Sequence, residues 1–182
     1  MKSICRLGTS PAGLPVAADD LLEFHAARLL LLFLCCGTAG RIAGLTKMAK
    51  LDFFVRYPQF FDKACKVLGL PSESIAESVE SSMIRFHYGP WDDRYYHVLA
   101  YLEARNLLTV TKSSQTFTLA LTDHGKQVAS RLAKDQAFAT LVEQMKRVKK
   151  TLGSRAGSGL KKLIYQIFEQ EVVQRSLGET IE

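Results

Sequence analysis

The chain has 182 residues, 47% apolar and 23% charged, with a formal net charge of +6. That length suits one domain with short appendages and a sizeable core, and the composition excludes a disordered chain. The charge is uneven: residues 122–152 hold seven Lys and Arg against three Asp and Glu, so a polyanion would meet that segment first.

Residues 1–18 carry Pro11, Gly13 and Pro15 without periodicity and are expected to be a flexible leader. Asp19 or Asp20 then caps a helix reaching Cys36, with Leu22, Ala26, Leu29, Leu30 and Phe33 on one face. Leu31, Leu32 and Leu34 make this helix apolar nearly all round, so it belongs at the centre of a core. The run Leu29–Cys36 is far short of the roughly 20 apolar residues that span a bilayer. Acidic Asp19, Asp20 and Glu23 stand where a signal peptide would be basic. Gly37 and Gly40 stop the helix.

Thr46 is the expected cap of a second helix, with Leu45, Met48, Leu51, Phe54 and Val55 inward and Lys47, Lys50 and Arg56 outward. Pro58 opens a third helix to Leu68, burying Phe61 and Cys65, and Gly69 and Pro71 close it. The two form a helix-turn-helix-like corner. Residues 72–80 read as a polar loop or short acidic helix, Met83–Tyr88 as a strand, and Gly89-Pro90 as a turn.

Asp92 or Asp93 caps the next helix, which runs to Asn106 with Tyr95, Val98, Leu99 and Leu102 inward. Leu107–Thr111 and Thr116–Leu121 alternate around a polar turn and form a β-hairpin, the wing. Thr122 or Asp123 caps a last long helix, whole or broken, to about Leu152. Gly153–Gly159 reads as a flexible linker, and 160–182 as a tethered amphipathic helix with the stripe Leu160, Leu163, Ile164, Ile167, Phe168 and Val172. The fold class is mostly α with a small β-hairpin wing (α+β): a winged-helix domain over 19–152 plus C-terminal helices.

The chemistry of the sequence points to binding, with no cofactor and no metal expected. Cys5, Cys35, Cys36 and Cys65 lack a CxxC spacing and read as reduced thiols of a cytoplasmic protein. His25, His87, His97 and His124 are scattered singly, and no phosphate-cradling, nucleophile-elbow or zinc motif is present, so the chain is not expected to be an enzyme.

The helix before the hairpin starts with Asp92 and Asp93 and carries aromatic groups, which suits a protein partner better than base edges. Trp91, Tyr96 and Tyr101 are its partner-binding candidates, Trp91 being read alternatively as pinning the turn to the core with Tyr88 and Tyr95; Leu160, Leu163, Ile164, Ile167 and Phe168 of the tethered helix join them. That helix folds back, pairs with a second copy as a homodimer, or fills a partner's groove. Residues 153–182 carry four cations and four anions, unlike a membrane-surface helix, so no membrane is expected. Nonspecific contact with double-stranded DNA is expected of Lys146, Arg147, Lys149 and Lys150, with Lys112 on the wing.

Three segments carry a family resemblance: Leu45-Thr46-Lys47-Met48-Ala49-Lys50-Leu51-Asp52-Phe53-Phe54-Val55-Arg56-Tyr57-Pro58, then Met83-Ile84-Arg85-Phe86-His87-Tyr88-Gly89-Pro90-Trp91-Asp92, then Leu119-Ala120-Leu121-Thr122-Asp123-His124-Gly125. Over roughly residues 20–135 the chain resembles the winged-helix middle-component subunits of bacterial ABC-three-component systems. These include the accessory subunit of Lamassu-type anti-phage and anti-plasmid defence. The Tyr-Gly-Pro-Trp-Asp turn is the most specific element, whereas Leu-Thr-Asp-x-Gly is generic to winged helices. The resemblance implies a non-catalytic accessory subunit bridging an SMC-like ATPase and an effector nuclease, touching DNA through the complex. The alternative is a free-standing, dimeric winged-helix transcription regulator.

Overall fold

A computed structural model describes residues 21–71, 83–86, 89–113, 116–167 and 180–181. The leader, the caps expected at Asp19 or Asp20, the 72–80 segment, Tyr88, Phe168 and Val172 lie outside these residues.

The centre is α1 (Leu22–Cys36), in which Leu29 to Phe33 are at most 3% exposed. A helix apolar on every side must be contacted on every side, and α1 meets α2 (Leu45–Arg56), α4 (Tyr95–Ala104), α5 (Asp123–Leu132) and α6 (Ala139–Leu152). It stops at Gly37, whose N–H donates to the Phe33 carbonyl at 3.1 Å. The Lys149 ammonium donates to the Cys36 and Gly37 carbonyls at 2.9 and 3.0 Å, a cation on the negative end of the helix.

A strand not foreseen in the sequence follows, β1 (Arg41–Ala43). Helix α2 is capped at Gly44 (φ +89°), whose carbonyl accepts from the Met48 N–H, and not by Thr46; glycine alone takes that backbone geometry cheaply. The expected outward face of α2 is also corrected, since Lys50 and Arg56 are buried. Helix α3 (Pro58–Val67) opens on Pro58 as expected. It ends with the Leu70 N–H on the Cys65 carbonyl and Gly69 (φ +66°) on that of Lys66, a Schellman closure.

Strands β2 (Met83–Phe86) and β3 (Gly89–Trp91) pair antiparallel, with Arg85 opposite Pro90. Gly89-Pro90 is therefore strand and not turn, and among the described residues the proline sits on an edge strand with β2 as its one neighbour. The far side of β2 pairs with β6 (Thr180–Ile181), so the C-terminal segment expected to be wholly helical ends as a strand. The hairpin β4 (Leu108–Ser113) and β5 (Thr116–Leu121) forms as expected, and β1 completes an antiparallel sheet of order β1-β5-β4. The long last helix is broken into α5 and α6 by a 3-10 turn, Gln136–Phe138.

The Gly/Ser stretch does not separate a tethered helix from the rest. Helix α7 (Gly157–Ile167) begins inside it, and Leu160, Leu163 and Ile164 are at most 5% exposed in the same core, against α2 and α3. A Cβ on Gly157 would lie 3.0 Å from the Lys47 backbone N, so here glycine allows close helix approach. Lys47 Nζ donates to the Gly153 carbonyl at 2.9 Å and closes the corner. The architecture is mostly helical with two small three-stranded antiparallel sheets, the α+β class.

Candidate functional site

Helix α4, just before the hairpin, is held by a buried ionic cluster that the sequence reading missed. Asp92, expected at an exposed helix tip, is 5% exposed. Its carboxylate accepts from Arg56 at 2.7 Å, from Arg94 Nε and NH2 at 2.9 and 3.0 Å, and from the Arg94 backbone N–H at 3.0 Å. Burial alone would raise this carboxyl, but the hydrogen bonds from Arg94 and the charge of Arg56 overcome that and hold it well below the usual carboxylate range. Asp93 is the acid left exposed.

Asp52, fully buried on α2, accepts from Arg28 Nε at 3.2 Å and from the Tyr95 hydroxyl at 2.7 Å. Burial, then the nearby Asp52 charge, push the Tyr95 phenol well above its ordinary value. The His25 ring joins the two halves, with Nδ1 2.9 Å from Arg28 and Nε2 2.9 Å from Arg94. The cluster thus clamps α1, α2 and the start of α4 together, and Arg94, 36% exposed along its side chain, brings it to the surface. Its groups are engaged with one another, an arrangement that positions α4.

Of the aromatic candidates, Trp91 takes the core alternative and not the partner-facing one: it is 8% exposed and packs edge-on to Tyr95, with centroids 5.1 Å apart. Tyr96 is 61% exposed and leans on the outer side of Trp91 at 5.6 Å. Tyr101 is half-buried, with the Arg105 guanidinium 4.6 Å over its ring. The outer face of α4 is therefore Tyr96, His97, Ala100, Glu103 and Ala104, flanked by Tyr101.

The basic candidates divide. Lys146 and Lys150 are exposed on α6, and Lys112 is exposed on β4 over the Phe117 ring. Arg147 instead lies 3.6 Å from Asp62, donates to Gln144 and covers the Phe61 ring, beside a cleft of about 390 Å³ between α3 and α6. Lys149 is spent on the α1 carbonyls. Only two of the four expected α6 cations, Lys146 and Lys150, are exposed.

Sequence reasoning missed the exposed cations Lys126, Arg131 and Lys134 of α5 and the turn after it. The signal was present, because buried Gly125 and Ala129 mark the opposite face. Among the described residues, the C-terminal stripe is no free surface: Leu160, Leu163 and Ile164 are core, and Ile167 packs against it.

Among the described residues, no three His, Cys, Asp or Glu side chains are grouped to hold a metal ion. Burial pushes the Cys36 thiol up to about 12, an inert thiol packed in the core. No helix among the described residues is long and apolar enough to cross a membrane. The chain was compared with models of protein families, with curated proteins and with solved structures. None matches.

Proposed function

We propose that this chain is a non-catalytic winged-helix accessory subunit that docks on protein partners, bridging an SMC-like ATPase and an effector nuclease in defence against phage or plasmid DNA. The order α1-β1-α2 and later α4-β4-β5, with strands arranged β1-β5-β4, supports the winged-helix reading. The defence role rests on the sequence resemblance. The docking role rests on one observation: α4 is clamped from inside by Asp52 and Asp92 and turns an exposed Tyr96 outward. A base-reading helix puts Arg, Lys, Asn or Gln into the groove from its early turns. Here Arg94 is bound to Asp92, and Tyr95 to Tyr101 contain no such residue. A rigid aromatic on a fixed helix is instead the anchor that protein interfaces favour.

The test is co-purification of the chain with the products of its neighbouring genes, for the wild type and for Tyr96→Ala combined with Tyr101→Ala. The expected result is a complex with a long coiled-coil ATPase that the double variant loses at unchanged melting temperature. Recovery of the wild-type chain alone, protecting one palindromic DNA site as a dimer, would favour the regulator and end the subunit reading.

A further inference from the structure

We propose that the solvent face of α5 is a binding surface for the phosphodiester backbone of nucleic acid. Lys126, Gln127, Ser130, Arg131 and Lys134 line a shallow depression of about 370 Å³ there, and every one of them can donate hydrogen bonds. The opposite face cannot shift: a Cβ on Gly125 would fall 1.9 Å from the Leu107 carbonyl oxygen, and Ala129 is fully buried. Thr122 fixes the helix start by accepting from the Gly125 N–H at 2.9 Å. The donors therefore stand on a rigid support.

Lys126 and Arg131 lie five residues apart on the helix, roughly 7.5 Å along the axis at 1.5 Å per residue, and Lys134 follows in the turn just beyond Leu132. One nucleic-acid strand rises about 3.4 Å per phosphate, so the helical pair spans about two of them and Lys134 extends the row. Two carboxylates lie near. Asp123 is 3.0 Å from Lys126, in an exposed pair that water already competes for. Asp135 accepts from the Ala137 N–H and caps the 3-10 turn. Neither closes the depression. The α6 alternative is weaker, since Arg147 and Lys149 have internal partners.

The chemistry favours a polyanionic strand over a lipid surface. A membrane-bound helix inserts an apolar face, and the apolar side of α5 (Val128, Ala129, Leu132) packs on the core, leaving no apolar residue among those lining the depression. The inference does not depend on the subunit reading, because it concerns the isolated chain.

The experiment measures binding of the full chain to a fluorescent random-sequence duplex across a salt series. It compares the wild type with Lys126→Glu/Arg131→Glu/Lys134→Glu and with Lys146→Glu/Lys150→Glu, and checks folding by circular dichroism. The α5 variant should bind about tenfold or more weakly at low salt, with a log–log salt slope shallower by up to about 2.7, at 0.9 per lost phosphate contact. The α6 variant should keep the wild-type slope. A folded α5 variant with the wild-type slope, equal losses in both variants, or wild-type binding to phosphatidylserine vesicles but not to duplex would each overturn the proposal.

Discussion

Replacing Lys50 by methionine should stabilise this protein at neutral pH, although the lysine makes a good hydrogen bond. Its ammonium is 1% exposed and donates to the Pro90 carbonyl at 3.0 Å. Burial first, and the charge of Lys161 second, pull it down from 10.5 to about 7. The folded protein thus releases this proton near pH 7, whereas the unfolded chain keeps it to about 10.4.

Between those values the unfolded state binds more protons, so stability rises with pH; below about 7 both states are charged and the penalty is constant. At 1.36 kcal/mol per pH unit, the interval sets a ceiling of about 5 kcal/mol. Methionine fills a similar volume but deprives the Pro90 carbonyl of a donor, at about 1–3 kcal/mol. The expected net gain is about 1–3 kcal/mol at pH 7, shrinking towards zero or reversing near pH 10. Urea unfolding of both proteins at pH 7, 8, 9 and 10 measures it, and taking the difference between them cancels the other titrating groups. A variant less stable than the wild type at pH 7, or a difference that does not shrink with pH, would refute the reasoning.

Breaking the cluster has the opposite sign. Asp92→Ala should cost about 3–5 kcal/mol in urea unfolding, because it leaves Arg56 buried without its closest carboxylate. The depressed Asp92 carboxyl contributes stability that is present above about pH 4 and lost as pH falls towards its folded value; Asp92→Asn should lose less between pH 4 and 2 in acid titrations followed by circular dichroism. Ile164→Asp should unfold the domain rather than detach a partner, since Ile164 is 1% exposed; a melting temperature like the wild type's would restore the tethered helix. Gly125→Ala should lower the melting temperature clearly, because its Cβ would meet the Leu107 carbonyl. Tyr96→Ala should change stability by no more than about 0.5 kcal/mol by the same measurement, as expected of an exposed side chain.

Local patterns carried much of the architecture. The apolar girth of Leu29 to Phe33 announces a helix with neighbours on all sides, Pro58 starts α3, and the alternation after Leu107 is the hairpin. These signals are local, so a linear reading reaches them. Lys50 and Arg56 read as a solvated face because charge is normally exposed, and Asp52 between them carried no signal of a buried partner. Their partners Arg28, Pro90, Asp92 and Tyr95 are 24 to 43 residues away, and no periodicity shows that those charges meet. The glycines near 157 misled in the same way, since composition does not distinguish a flexible glycine from one that a neighbouring helix requires.

Sequence by itself determined which segments coil, which alternate and where most of them stop, because those preferences belong to the backbone and its nearest side chains. Only the tertiary structure decided which charges are spent and which remain for a ligand. It drew Asp92, Arg147, Lys149 and the α7 stripe inward and left Tyr96 and the α5 cations outside. The reason is physical: a charge costs little in water and much when buried alone, so its role depends on whether chain folded from elsewhere supplies its counterpart.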